Sequence, residues 1–242
     1  MLLNRIWNMF LITLAFGLTV SFNACDGPGT AGNREVATSS SISLDCPQAP
    51  DEFRNPTEFQ HMIDLINVLP KPLSLECFLA NFDPPMNLLA VNSVSSAQPA
   101  EGPEQPRILI VRDQFIVTIV PTSNTNPLVE FSRVIGSNRS VKGELQFPIS
   151  DSIAETAAFD RIRTTFNGQP GTSCRFCHKN EVEQPDGSIA SDIVDPLPSQ
   201  IIKANYMQSI LENCDEQSTP NKCRILKAVY GRGPVSDIYW PF

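Results

Sequence analysis

Two pairs of apolar runs between positions 108 and 149 constrain the fold of this chain more than any other feature of its sequence. Residues 108–120 contain two runs of β-branched side chains on either side of a polar turn, and residues 128–149 repeat this arrangement around a Gly-Ser-Asn-Arg-Ser turn. Each pair is typical of a β-hairpin. Together with a further strand at 87–94, the pattern predicts an antiparallel sheet of four or five strands.

Helical periodicity occurs on both sides of this strand-rich region. Before it, apolar residues at helical spacing predict two short helices, at 57–68 and 74–82, which we expect to pack on one side of the sheet. After it, the same pattern predicts three more helices, at 150–166, 199–213 and 221–230. The expected fold class is therefore α+β, with an N-terminal antiparallel sheet and two short helices followed by a mostly helical C-terminal module.

The N-terminus has the features of an export signal. Residues 6–20 are almost entirely apolar, but the run is too short and too polar for a comfortable membrane span, so we expect residues 1–24 to be a signal peptide. Its end, Ser-Phe-Asn-Ala-Cys, resembles a bacterial lipobox, and this resemblance implies acylation of Cys25. Simple secretion after Ala24 and an uncleaved anchor are the alternatives.

Composition indicates how the rest of the chain is divided into segments and which class of partner is excluded. Residues 25–45 are rich in small and polar residues, and we expect a flexible tether there, followed by an α+β module of unknown role at 46–149 and a helical module at 150–242. The chain carries 18 Lys and Arg against 26 Asp and Glu, a net charge of −8. A nucleic-acid partner requires a concentrated positive face, and the absence of any Lys/Arg cluster argues against one.

Cysteines add covalent constraints, and the seven of them stand at positions 25, 46, 77, 174, 177, 214 and 223. In an exported, oxidising setting we expect the pairs Cys46–Cys77 and Cys214–Cys223, although four cysteines allow three pairings and proximity along the chain is only a guide. Acylation of Cys25 would account for the odd total. The remaining two cysteines lie in one short motif.

The motif is Cys174-Arg175-Phe176-Cys177-His178, and it includes one of only two histidines in the protein. A CxxCH sequence in an exported chain resembles the attachment site of c-type cytochromes. The resemblance implies covalently bound haem c, with thioether bonds to Cys174 and Cys177 and with His178 as an axial iron ligand. It is confined to these five residues and to the helical region expected around them.

Several side chains compete for the second axial position of such a haem. The resemblance to small cytochromes c implies a downstream methionine, and Met207 is the only one after the motif. Met207 also fits a core position on an amphipathic helix, His61 and Lys203 are further candidates, and five-coordinate iron is the remaining option. Apolar residues expected near the ring are Phe176, Ile189, Ile193, Val194, Leu197, Ile201 and Ile202.

Other chemistries compete for the same motif. A thiol-disulfide oxidoreductase would place CxxC at the start of a helix after a strand, and it would need a cysteine of low pKa. A zinc site needs four ligands, so the three in the motif would require Cys214 or Cys223 to complete the set. A structural disulfide between Cys174 and Cys177 is the last alternative.

The motif and the export signal together predict an exported mono-haem c-type protein of the periplasm or cell envelope, tethered to the membrane through a lipid anchor. We expect it to exchange single electrons with an unknown redox partner protein, as an electron carrier rather than a catalyst. The alternative, from another class, is a non-catalytic lipoprotein that disulfides stabilise and that binds a partner through its β module. No Ser-His-Asp, P-loop or dinucleotide pattern indicates another enzyme.

Overall fold

The computed structural model of the chain describes residues 44–242. The predicted signal peptide at 1–24, the lipidation of Cys25 and almost all of the predicted tether at 25–45 lie outside these residues. No helix within the described part of the chain is long and apolar enough to cross a membrane. The described residues belong to one compact unit.

Strands and short helices alternate along the described residues. The strands, β1 to β11 in chain order, are Met86–Val91, Arg107–Arg112, Phe115–Ile119, Leu128–Val134, Arg139–Gln146, Arg163–Phe166, Gln169–Thr172, Val182–Glu183, Ile189–Asp192, Ile201–Ile202 and Val235–Asp237. The α-helices, α1 to α5, are Phe59–Val68, Leu75–Leu79, Ala157–Ile162, Ala204–Glu212 and Pro220–Tyr230. Short 3-10 turns occur at Asp51–Phe53, Ser173–Phe176 and Pro198–Gln200.

One mixed sheet contains nine of these strands, in the order β10-β1-β2-β3-β4-β5-β9-β8, with β11 also paired to β1. The β1–β11 pair is parallel, and the other pairs are antiparallel. The two predicted hairpins are confirmed, since β2 pairs with β3 and β4 pairs with β5. β6 and β7 form a separate two-stranded sheet.

The expected α+β fold with a mostly helical C-terminal module is wrong. The described residues are mostly β, and β6 to β11 all follow residue 150. β9, β10 and β11 have four, two and three residues, so they are too short for apolar alternation to identify them in the sequence. They form because the edges of the longer hairpins offer unpaired backbone groups, and each short strand pairs with such an edge.

The predicted helix at 150–166 is a second correction. Only Ala157–Ile162 is helical, and the chain then enters the hairpin of β6 and β7. Asn167 and Gly168, which we expected to end a helix, are the central residues of the hairpin turn, with φ values of 51° and 76°. A type I′ turn requires positive φ at both positions, and Asn-Gly is a pair that favours it.

The main core lies between one face of the sheet and the helices. Alternate strand residues such as Ile108 and Phe131 pack there against the apolar sides of α1, α2, α4 and α5. Each of these helices lies in a predicted region, but only α5 has both ends within one residue of its predicted bounds, and α4 begins five residues later than predicted. The opposite face of the sheet carries a smaller apolar cluster that includes Ile116. Trp240 and Phe242, near the C-terminus, pack on that cluster. Both faces of the sheet are therefore covered, at least in part.

Both predicted disulfides are confirmed. Cys46–Cys77 ties the beginning of the described chain to α2, and Cys214–Cys223 ties the end of α4 to α5. In the chain-entropy model bonds of this kind stabilise the fold by roughly 3–4 kcal/mol each, because they restrict the unfolded chain. The two bonds brace the helical layer that covers the main core.

Candidate functional site

The CxxCH motif lies on a short 3-10 turn, Ser173–Phe176, directly after β7. The N–H groups of Cys177 and His178 both donate to the carbonyl oxygen of Cys174, at 3.1 and 2.9 Å. Thr172 precedes the turn, and its hydroxyl oxygen accepts a hydrogen bond from the N–H of Cys174 at 3.2 Å. Backbone hydrogen bonds therefore hold the two cysteines one turn apart.

A carboxylate just beyond the motif fastens the start of this turn. Glu181 accepts hydrogen bonds from the N–H of Thr172 at 3.1 Å and from the Thr172 hydroxyl group. Gly171 leaves room for this contact, because a Cβ atom there would lie only 2.8 Å from a carboxylate oxygen of Glu181. Hydrogen bonds to an ionised acceptor are stronger than those between neutral groups, so this contact closes the loop that carries the motif.

A hydrogen bond determines the tautomer of His178. The Nδ1 atom of His178 lies 2.9 Å from the backbone carbonyl oxygen of Asp192. Because a carbonyl oxygen can only accept, Nδ1 must donate, and the lone pair of the neutral ring is on Nε2. Burial, and then the positive charge of Lys142, lower the pKa of His178 to about 4. The imidazole is therefore neutral at neutral pH.

Arg139 and Asn180 hold Asp192 in place around this hydrogen bond. Arg139 forms an ion pair with the Asp192 carboxylate at 3.5 Å and donates to the carbonyl oxygens of Asn180 and Ala190 at 2.7 and 2.8 Å. The side-chain amide of Asn180 donates to the same carboxylate at 2.6 Å. These contacts join β5, β9 and the segment after the motif, so the carbonyl group that orients His178 is itself well braced.

Both cysteines of the motif are free thiols. Cys177 is exposed, whereas Cys174 is partly buried. Burial raises the pKa of the Cys174 thiol to about 11, so this side chain is protonated at neutral pH. The attacking cysteine of a thiol-disulfide oxidoreductase needs a lowered pKa, and the pKa of Cys174 is shifted in the opposite direction.

The motif lines a cleft of about 340 Å³, together with the sheet face opposite the main core. Both cysteines and the histidine of the motif are part of its lining. Of the apolar residues expected near a haem ring, Phe176, Ile193 and Val194 line this cleft. Further apolar side chains in the lining are Leu109, Ile116, Ile162 and Trp240.

Charged and hydroxyl side chains of the sheet form the polar part of the cleft. Arg107 on β2 and Glu130 on β4 form an ion pair at 2.5 Å. Lys142 on β5 has a different environment, since its ammonium group donates to the hydroxyl oxygens of Ser140 and Ser191 at 2.7 and 3.0 Å. Burial lowers the pKa of Lys142 to about 8. The cleft thus holds a partly buried cation near the motif.

The structure does not bring the other predicted iron ligands to this cleft. Met207 is fully buried on α4 and belongs to the main core. His61 lies on α1 beside Glu58, and the Lys203 ammonium group lies over the ring of Tyr239. None of the three predicted ligands lines the cleft.

The zinc alternative lacks a complete ligand set. Cys214 and Cys223, which would have had to join the motif, are bonded to each other. Within residues 44–242, no group of three or more His, Cys, Asp and Glu side chains is arranged to hold a metal ion. Among the residues that the structure describes, the motif therefore has no fourth protein ligand of the kind that a structural zinc site requires.

The sequence analysis missed three residues of the site. Asp192 acts through its backbone, so no side-chain pattern marks it. Lys142 occupies an alternate position on β5 that points away from the main core, and alternation does not reveal that this face is covered. Glu181 follows the motif closely, and an acidic residue so near a loop of this kind was the one available signal.

Comparison with known proteins identifies no relative of this chain. No protein-family model, no curated protein and no solved structure matches this chain. The resemblance to c-type cytochromes therefore stays a prediction that rests on the motif. What the site does has to be inferred from its own geometry and chemistry.

Proposed function

We propose that this protein is an exported mono-haem c-type protein that transfers single electrons. Cys174 and Cys177 would hold the haem through thioether bonds, and His178 would bind the iron through Nε2. One observation carries the proposal: Nδ1 of His178 donates to the carbonyl oxygen of Asp192, which leaves the lone pair of the neutral ring on Nε2, the nitrogen that would bind iron. Metal-binding histidines in proteins are commonly oriented in this way by a backbone carbonyl group.

The residues around the motif fit such a group. The two thiols and the imidazole, which are the groups that covalent haem attachment and iron binding require, line one cleft of about 340 Å³. Cys174 and Cys177 are free, whereas the other four described cysteines are paired in disulfides. A thiol pair left unpaired in an otherwise oxidised set of cysteines is available for attachment.

The cleft also has the surroundings that an electron-transfer group requires. Bound haem would supply one-electron redox chemistry at its iron. Apolar side chains such as Ile116 and Ile193 would exclude water from the cleft, and the dryness of a site is one of the factors that set a reduction potential. Phe176, beside the cysteines, is 73% exposed, so the motif edge of the cleft is accessible to a partner protein.

The proposal includes export, lipid anchoring through Cys25 and an unidentified redox partner in the periplasm or cell envelope. The two disulfides support an oxidising compartment, because such bonds are rare in the cytoplasm. The alternative, a non-catalytic lipoprotein that binds a partner through its strands, predicts that Cys174 and Cys177 stay unmodified or pair with each other.

The test uses the full-length chain, exported in a bacterial host that attaches haem c to its own cytochromes. We expect a Soret absorption band that stays with the polypeptide after denaturation and extraction with acidified acetone. The matched control carries Cys174→Ser and Cys177→Ser together and should lose the band. A wild-type protein without the band, in cells that load another c-type cytochrome, overturns the proposal.

A further inference from the structure

Lys142 is a cation in the cleft to which the proposed function assigns no role. It lies on β5, on the sheet face opposite the main core, and it lines the same cleft as Cys174 and His178. The two side chains are held by adjacent residues of β9, because Lys142 donates to the hydroxyl oxygen of Ser191 at 3.0 Å and His178 donates to the carbonyl oxygen of Asp192 at 2.9 Å. Lys142 therefore lies within the electrostatic reach of the motif.

Within the part of the chain that the structure describes, Lys142 forms no ion pair, although the charges of Glu130 and Asp192 partly offset the effect of its burial. The nearby acids are already paired: Glu130 with Arg107 at 2.5 Å and Asp192 with Arg139 at 3.5 Å. Partial burial of a charge without an ion-pair partner costs stability, so packing alone does not explain a lysine at this position. A functional role in the cleft would explain it.

Two hydroxyl groups position the Lys142 amine and leave part of it free. Nζ donates to the hydroxyl oxygens of Ser140 and Ser191 at 2.7 and 3.0 Å. An ammonium group has three protons, so one of them has no partner in these contacts, and loss of that proton leaves a lone pair on the same nitrogen. The two serines thus hold a potential nitrogen ligand at a defined place in the cleft.

The lining of the cleft offers few other groups that bind iron. Among residues 44–242, the lining includes no histidine apart from His178, no methionine, and no lysine apart from Lys142. Burial also lowers the pKa of Lys142 to about 8, which favours the neutral amine that can bind a metal.

We infer that the Lys142 amine would bind the iron of the proposed haem as a second nitrogen ligand, in addition to His178. The inference rests on the proposed function, because the iron is present only if Cys174, Cys177 and His178 bind haem. It leaves Met207 as a core residue and makes the iron six-coordinate with two nitrogen ligands. Because methionine ligation raises the reduction potential of a haem, we expect a potential lower than that of a His–Met cytochrome.

The test is a spectroscopic comparison of three ferric holoproteins. Lys142→Gln keeps a side chain of similar length that can bond to the same serines but removes the amine. We expect low-spin iron in the wild type, with a near-infrared magnetic circular dichroism band typical of two nitrogen ligands. Lys142→Gln should be high-spin with unchanged covalent haem per polypeptide, and the control Lys203→Gln, outside the cleft, should match the wild type.

Each result bears on the inference separately from the proposed function. High-spin wild-type iron, a near-infrared band typical of sulfur ligation, or a low-spin spectrum that Lys142→Gln leaves unchanged overturns the inference while the attached haem upholds the function. A wild-type chain that takes no haem overturns both. If Lys142→Gln does not fold, Lys142→Ala replaces it, and the wild-type near-infrared band alone still excludes or supports two nitrogen ligands.

Discussion

The Nδ1 atom of His178 lies 2.9 Å from the carbonyl oxygen of Asp192, and this contact joins the CxxCH turn to the strand next to β5. The acceptor belongs to the backbone, so the orientation of the imidazole depends on where β9 pairs rather than on the chemistry of one side chain. Arg139 and Asn180 then fix that part of β9. The fold and the candidate site are therefore linked through the pairing of a short strand.

The tautomer of His178 is the first testable consequence. Because Nδ1 donates to a carbonyl group and the pKa of the imidazole is about 4, we expect a neutral ring with the proton on Nδ1 in the haem-free protein at pH 7. Nitrogen-15 chemical shifts of the labelled imidazole measure this directly, with a His61→Gln variant to assign the two histidines. A ring protonated on Nε2 alone, or a charged ring at pH 6, would contradict the described geometry.

Glu181 should stabilise the turn that carries the cysteines. In Glu181→Ala the N–H and hydroxyl groups of Thr172 lose their shared acceptor, and a lost hydrogen bond to a charged group costs about 1.5–3 kcal/mol. We expect faster amide hydrogen exchange at positions 172–178 and a smaller yield of attached haem. Glu183→Ala, at an exposed position on β8, is the matched control. Equal exchange in the two variants would remove the role assigned to Glu181.

We expect Lys142 to destabilise the folded state of the haem-free protein. Burial lowers its pKa from 10.5 to about 8, so the folded state disfavours the ammonium form. The cost is full below pH 8 and disappears as the pH rises past 10.5, and a shift of this size corresponds to about 3 kcal/mol at most. Because Lys142→Met also loses the hydrogen bonds to the two serines, we expect a gain in the free energy of unfolding of about 1–2 kcal/mol at pH 7.

Urea unfolding of the haem-free wild type and of Lys142→Met at pH 7 and pH 10 measures this difference. The gain should disappear or become a small loss at the higher pH, because Lys142 is then mostly neutral in the folded wild type while the variant still lacks the hydrogen bonds to the two serines. The control Lys203→Met, at a position outside the cleft, should show no such pH dependence. A Lys142→Met variant that is less stable than the wild type at pH 7 would contradict this, because it would show that contacts in the folded state offset the cost of burying the ammonium group.

The two disulfides should differ in what they contribute. Cys46–Cys77 spans 31 positions and Cys214–Cys223 spans 9, and the chain-entropy model assigns more stabilisation to the longer loop. Replacing the first pair with alanine should cost about 1 kcal/mol more than replacing the second, since the predicted costs are about 4 and about 3 kcal/mol. Urea denaturation of the two double variants decides this, and a larger loss for the shorter loop would contradict the entropic account.

Long local patterns allowed the N-terminal half of the fold to be predicted from sequence. The hairpins of β2–β3 and β4–β5 have runs of five to eight residues with β-branched or alternating apolar side chains, which is enough to identify a strand. The cysteine pairs followed from proximity along the chain and from the export signal. In these cases the information lies within a few consecutive residues.

The C-terminal half depends on contacts that are distant in sequence. Asn167-Gly168 is compatible both with the end of a helix and with a hairpin turn, and only the pairing of Arg163–Phe166 with Gln169–Thr172 decides between them. The strand Ile189–Asp192 exists because β5 offers it an edge. The cleft, in turn, needs that strand to position His178, so the motif was visible in the sequence while its surroundings were not.

Peptide mass spectrometry of the exported, full-length protein tests the central claim most directly. Digestion should yield a peptide that contains Cys174 and Cys177 and whose mass is increased by one haem, with the cysteines at 46, 77, 214 and 223 recovered as disulfides. The account predicts this adduct in a host that attaches haem c. Recovery of the same peptide with two free thiols, or with a bond between the two cysteines, from cells that load another c-type cytochrome would contradict it.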